Sequence, residues 1–199
     1  MEWSRKNYRV VENIVIVGID PGLSGGICFL YENDCKIVKI PTKIIQKNNK
    51  NKRDYDSKIM SSNFYSNTSG FTCHVFQELT HAMPGNGGVS MYSFGRGHGI
   101  WEGICSSYDV TYSLVTPQSW KKIYPSIDLI KKNNNGLIEK KKIKSMQKQA
   151  AIELVKKIVP SYEKFLCKTC DGLAESCLIS LYGWLKITGN MHKITNNKL

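Results

Sequence analysis

The segment Ile14-Val15-Ile16-Val17-Gly18-Ile19-Asp20-Pro21-Gly22-Leu23-Ser24-Gly25-Gly26 constrains the fold more than any other part of the chain. A short run of β-branched residues bounded by turn signals reads as a buried strand rather than a helix. The run ends on Asp20, followed at once by Pro21 and Gly22. An unpaired carboxylate at the end of a buried strand costs on the order of several kcal/mol. Two roles would offset that cost. Asp20 caps the turn that follows, a common use of an Asp-Pro step, or it holds a cation.

The rest of the chain arranges itself around this strand. With 199 residues, one domain with a single sizeable core is expected. Ile27 to Tyr31 and Lys36 to Ile40 predict two further strands, joined by a hairpin turn at Glu32-Asn33-Asp34. Residues 43–70 are rich in Lys, Asn and Ser and read in part as helix and mostly as a loop or poorly ordered low-complexity insertion. Phe71 to Leu79 predicts a fourth strand carrying Glu78 near its end, and residues 83–88 a flexible loop. Met91 to Tyr108 reads as a helix weakened by Gly95, Gly97, Gly99 and Gly103. Asp109 to Thr116 predicts a fifth strand, stopped by Pro117. Gln147 to Val159 has an apolar stripe of Ala151, Leu154, Val155 and Ile158, and Pro160 ends it. The closing helix, Asp171 to Leu185, puts Ala174, Cys177, Leu178, Leu181 and Leu185 on one face.

Composition narrows the possible settings. Hydrophobic residues make up 41% of the chain, with no apolar run approaching a membrane span. The first ten residues, with Glu2, Arg5, Lys6 and Arg9, do not resemble a secretory signal. Seven cysteines, an odd number, suggest no disulfide framework and an intracellular, reducing compartment such as a nucleus, an organelle or a viral factory. Cys167-Lys-Thr-Cys170 has the spacing of half a zinc site, with no second pair nearby to complete it. The formal charge of +12 favours a polyanionic partner. From Lys121 to Lys157, eleven lysines stand against three acids, with a basic loop near 131–142. This window is either a solvated surface or a phosphate-contacting face.

Acidic residues sharpen the reading. Asp171 and Glu175 are four apart, one above the other on the closing helix, where like charges repel. Asp171 could serve as an N-cap. A capping box would then want Glu or Gln where Ala174 stands, so capping leaves Glu175 unexplained. With the first strand between the hairpin and the fourth strand, Asp20 and Glu78 end adjacent strands, and a helix laid across those ends adds Asp171 and Glu175. Carboxylates converging in this way cannot all stay ionised without a metal. Hard divalent cations with oxygen ligands suit them, and a pair ~3.5–4 Å apart is a common device for phosphodiester hydrolysis.

This order of strands, acids and helices resembles the ribonuclease H-like fold, an α/β fold with a five-stranded mixed sheet flanked by helices. Within it, the chain resembles the RuvC-type Holliday-junction resolvases, closest to the phage, bacterial and monokaryotic-chloroplast types. The resemblance is carried by Gly18-Ile-Asp-Pro-Gly-Leu-Ser-Gly-Gly26, by Glu78 with His81-Ala-Met-Pro-Gly85, and by Ser93-Phe-Gly95. It continues through Val115-Thr-Pro-Gln-Ser-Trp-Lys121, Lys148 and Asp171-Gly-Leu-Ala-Glu175.

The resemblance implies a homodimeric endonuclease that uses two Mg²⁺ ions per active site, with Mn²⁺ as a substitute, and cuts four-way DNA junctions at symmetric points. It makes Asp20, Glu78, Asp171 and Glu175 the catalytic metal ligands and sets Lys148 near the scissile phosphate. Phe94 and Arg96 fall where the family enters the junction centre, a place where an aromatic ring can stack on an unpaired base; Phe94 could equally be core. Lys121, Lys122 and Lys142 join Lys148 as expected DNA contacts. The stretches 43–70 and 131–142 depart from the family pattern. Rival readings are another ribonuclease H-like nuclease acting on RNA–DNA hybrids or branched DNA, and a junction-binding protein that does not cleave. A phosphate loop of the actin or sugar-kinase type would need a second lobe, for which the chain is too short.

Overall fold

In chain order the elements are β1 (Ile14–Ile19), β2 (Gly26–Leu30), β3 (Cys35–Lys39), β4 (Thr42–Lys47), β5 (Lys50–Tyr55), α1 (Ser57–Thr68), β6 (Thr72–Glu78) and α2 (Gly88–Ser107), then β7 (Thr111–Val115), α3 (Pro117–Lys121), α4 (Pro125–Asn133), α5 (Lys140–Ile158), a 3₁₀ turn (Pro160–Phe165) and α6 (Asp171–Thr188). This is a computed structural model that describes residues 13–47, 49–79, 87–133, 139–167 and 169–189. The expected loop at 83–88 falls mostly outside them, as does the centre of the basic loop at 131–142, which is framed by the end of α4 and the start of α5.

The main sheet runs β3-β2-β1-β6-β7. The pairings of β1 with β2 and of β2 with β3 are antiparallel, whereas those of β1 with β6 and of β6 with β7 are parallel. This mixed order around a central first strand, with helices on both faces, is the α/β architecture expected from the sequence, a five-stranded mixed sheet flanked by helices. β1 is apolar on both sides because both of its sides are covered. Ile16 faces a core shared with α5 and α6, while Val15, Val17 and Ile19 face a second core with α1 and α2.

Residues 43–70 are not a loop. They form the β4–β5 hairpin, a separate two-stranded sheet, followed by helix α1. The hairpin satisfies its backbone through cross-strand pairing and buries Tyr55 at its base, so it needs few apolar residues to order it. In α1, Asp56 accepts a hydrogen bond from the Ile59 amide at 3.2 Å as N-cap, and Met60, Phe64 and Thr68 recur every fourth residue on the buried face. That stripe is hidden among Ser and Asn in the sequence.

Two helices also differ from expectation. α5 begins at Lys140 rather than Gln147 and buries Ile143 and Ile152 besides Ala151 and Val155. α6 does not bury a single stripe: every residue from Gly172 to Trp184 is buried, because the helix is enclosed between the sheet and α5. Ahead of it, the sulfurs of Cys167 and Cys170 are bonded to each other, where free thiols were expected. No helix among the described residues is long and apolar enough to cross a membrane.

Candidate active site

The parallel register pairs Ile19 with Gln77, so the next residues, Asp20 and Glu78, leave the sheet side by side. The turn after β1 is closed by hydrogen bonds from the Asp20 amide to the Gly26 carbonyl (3.0 Å) and from the Gly25 amide to the Gly22 carbonyl (2.8 Å). One oxygen of Asp20 accepts from the Gly22 amide at 3.3 Å. The capping role raised by the Asp-Pro step is therefore real, and it occupies only one of the two carboxylate oxygens.

The other oxygen points at α6. A Cβ placed on Gly172 would lie 2.8 Å from Asp20 Oδ2 and 2.6 Å from the Ser24 carbonyl oxygen. Deeper in the sheet, a Cβ on Gly18 would overlap the Ser176 carbonyl and the Ser180 amide. These two glycines let α6 lie with its backbone directly on β1 and its turn, closer than any side chain allows. Asp171 and Glu175, in the first turns of α6, are thereby brought to Asp20 and Glu78.

The electrostatics record this convergence. Burial, then the charges of Glu175 and Glu78 and more weakly Asp171, push Asp20 up to about 8, with the Gly22 hydrogen bond acting against them. Glu78 is 8% exposed; burial and the Glu175 charge push it up to about 7, opposed by Lys121, Trp120 and Lys148.

Two lysines answer the acids. Lys121, the last residue of α3, pairs with Glu175 at 3.0 Å, and Lys148 of α5 pairs with Asp171. Burial disfavours the Lys148 ammonium, but its hydrogen bond to Asp171 and the surrounding carboxylates hold its pKa above the usual value.

Trp120 completes the arrangement. Its indole Nε1 donates to Glu78 Oε1 at 3.0 Å in a buried contact, and the Lys121 ammonium lies 4.8 Å from its ring centroid. Thr116 caps α3 by accepting from the Ser119 amide at 3.2 Å, with Pro117 starting the helix. One short phrase after β7 thus delivers a hydrogen bond to one acid and a cation to another. The phrase is visible in the sequence, but nothing local there assigns Trp120 a role.

The structure thus brings together Asp20, Glu78, Asp171, Glu175 and Lys148. Lys121, expected on a DNA-contacting surface, is instead within the acid cluster. Lys122 and Lys142 are exposed, at the end of α3 and in the first turn of α5. Phe94 is 40% exposed on α2 rather than part of the core, and Arg96 is paired with Asp54 of β5. On the other side of the Asp20 turn, Arg53 donates to Ser24 Oγ at 2.6 Å and the Tyr55 hydroxyl donates to the Pro21 carbonyl at 3.0 Å. No local sequence signal marks these two contacts.

In donor chemistry the cluster fits hard divalent cations: four carboxylates, two of them raised by burial and then by one another's charge, and two ammonium groups that offset part of that charge. Among the described residues, no three His, Cys, Asp or Glu side chains are already gathered closely enough to hold an ion. The lysines pair with Glu175 and Asp171 in this conformation.

No family model matches the chain, and no curated protein matches it. Among solved structures, that of T. thermophilus RuvC in complex with a Holliday junction substrate is similar over 88% of this chain and 97% of that one, at 10% identity and a TM-score of 0.42.

Proposed function

We propose that the protein is a divalent-metal-dependent endonuclease that resolves four-way DNA junctions by paired, symmetric hydrolysis of phosphodiester bonds. The observation that carries this reading is the crowding of Asp20 and Glu78 with Asp171 and Glu175, held by two lysines. Asp20, Glu78, Asp171 and Glu175 would hold Mg²⁺, or Mn²⁺ in its place. Bound there, the ions would activate the attacking water and steady the leaving 3′ oxygen.

The chain's own contributions are distinct. Trp120 orients Glu78 and favours its ionised form. Lys148 is half-exposed beside Asp171, so its ammonium can transfer from that carboxylate to a phosphate oxygen of the strand. Lys121 balances Glu175 until the acids are otherwise neutralised. A charge of +12 supports a polyanionic substrate. Val89, Met91 and Tyr92, exposed on α2, support a homodimer, whose twofold symmetry would place two sites on two strands of a junction.

The test is a substrate panel: end-labelled four-way junction, linear duplex and RNA–DNA hybrid, each with Mg²⁺ or EDTA. Paired symmetric nicks on the junction alone, absent in EDTA, are expected. Preferential cutting of the hybrid would replace this reading with a ribonuclease H activity, and tight junction binding without cuts under any divalent metal would replace it with a binding function.

A further inference from the structure

The β4–β5 hairpin is seated on the rim of the candidate site and carries a charge pattern that the fold itself does not use. Its register pairs Lys43 with Asp54, Ile45 with Lys52 and Lys47 with Lys50, so these residues share one face. Thr42, Ile44, Arg53 and Tyr55 share the other. On the second face Tyr55 is buried and Arg53 is bonded to Ser24 in the Asp20 turn, while Ile44 is 65% exposed. On the first face Lys43, Lys50 and Lys52 are exposed, and Asp54 is paired with Arg96 of α2.

A two-stranded hairpin is marginal in water on its own, and clustered lysines make it more so by mutual repulsion. The arrangement becomes favourable once a polyanion lies against it. At the hairpin's base a cavity of about 350 Å³ is lined by Ser24, Lys39, Thr42, Arg53 and Thr169 among others. Leu23, Ile40, Cys170 and Leu173 supply its apolar part, and the two cationic side chains and three hydroxyls are groups that suit a phosphate. Ser24 belongs to the turn that carries Asp20, so the cavity and the acids share that turn.

We propose that the β4–β5 hairpin is a nucleic-acid arm that grips the sugar–phosphate backbone of a DNA duplex leading into the acid cluster, with Lys43, Lys50 and Lys52 as its phosphate contacts. This deepens the nuclease reading and rests on it.

The experiment measures binding of a fluorescein-labelled four-way junction by anisotropy in EDTA, across a KCl series. It compares the wild type with Lys43→Gln/Lys50→Gln/Lys52→Gln and with Lys157→Gln, an exposed lysine at the far end of α5. The triple variant should melt no lower than the wild type, because these side chains are solvated and their removal relieves repulsion. It should bind at least about 10-fold more weakly at moderate salt, and the slope of log K against log [salt] should shrink by about 2 to 3, at roughly 0.9 per lost phosphate contact. Lys157→Gln should change neither quantity. A triple variant with wild-type affinity and slope overturns the hairpin assignment, as does weaker binding with an unchanged slope. A wild-type protein that binds no DNA overturns the nuclease reading itself, which separates the two failures.

Discussion

The acid cluster and the β4–β5 hairpin meet at the same turn, residues 20–25, and are held by opposite means. The cluster is fixed by close packing, with α6 lying backbone-on-backbone against β1 where Gly18 and Gly172 admit it. Its charges conflict, and the fold pays for that conflict with buried apolar surface around α6. The hairpin buries little beyond Tyr55, is tied to the turn by Arg53 and Tyr55 and to α2 by Asp54, and leaves its lysines in water. Geometry that must be accurate is stored in packing. Affinity for a charged polymer is stored in solvated charge, which tolerates imprecision but depends on salt.

If that division holds, changes to the cluster act on the chemical step and changes to the hairpin act on binding. The largest effect is expected from Asp20→Asn, which keeps the turn's shape but removes the charge. Junction cleavage should fall by about 10²–10³-fold or more, with junction affinity in EDTA retained. Single-turnover nicking beside anisotropy binding checks this, and loss of both together would break the comparison.

Packing comes next. Gly18→Ala drives a methyl group into the Ser176 carbonyl and should cost about 3 kcal/mol or more of stability, read by urea unfolding. Gly172→Ala meets Asp20 Oδ2 and the Ser24 carbonyl and should displace the first turn of α6. Its cleavage loss, about 10-fold or more, should exceed what its stability change explains.

A subtler change is Trp120→Phe, which keeps an aromatic ring, though a smaller one, and removes the hydrogen bond to Glu78. That bond favours the ionised carboxylate, so Glu78 should titrate still higher, and the acid limb of the cleavage pH profile should move towards alkaline pH. An unmoved profile would mean that Trp120 only fills space.

A last effect concerns stability of the metal-free protein. Asp20 is raised from 3.8 to about 8, so the folded state holds a proton that the unfolded state has released between these values. The stability this provides is complete below the unfolded value and is lost as pH rises towards and through about 8. Melting temperature in EDTA should therefore decline across that window, and Asp20→Asn should flatten the decline. Melting curves taken at several pH values decide it.

Much of the site could be read from the chain because its parts are local. The apolar run ending in Asp20, the strand ending in Glu78 and the spacing of Asp171 and Glu175 are short-range patterns, and the structure brings all four acids together. What escaped is long-range. Nothing near Lys121 says that it will meet Glu175, nor near Tyr55 that its hydroxyl will reach Pro21. The hairpin escaped because Thr42-Lys43-Ile44-Ile45-Gln46-Lys47 lacks clean apolar alternation: neither face is a core face, so composition looks like loop while backbone pairing makes strand. The sequence of α6 looks amphipathic because its stripe is real, but small and weakly polar residues such as Ser176 and Ser180 fill its other faces, where their hydroxyls bond back to Leu173 and Cys177 within the helix.

The most direct test of the central claim is anomalous diffraction from crystals soaked in MnCl₂. Manganese density is expected among Asp20, Glu78, Asp171 and Glu175, with the Lys121 and Lys148 ammonium groups moved away from Glu175 and Asp171. Both lysines still paired to their acids at saturating Mn²⁺, with no anomalous density between the four carboxylates, would contradict it.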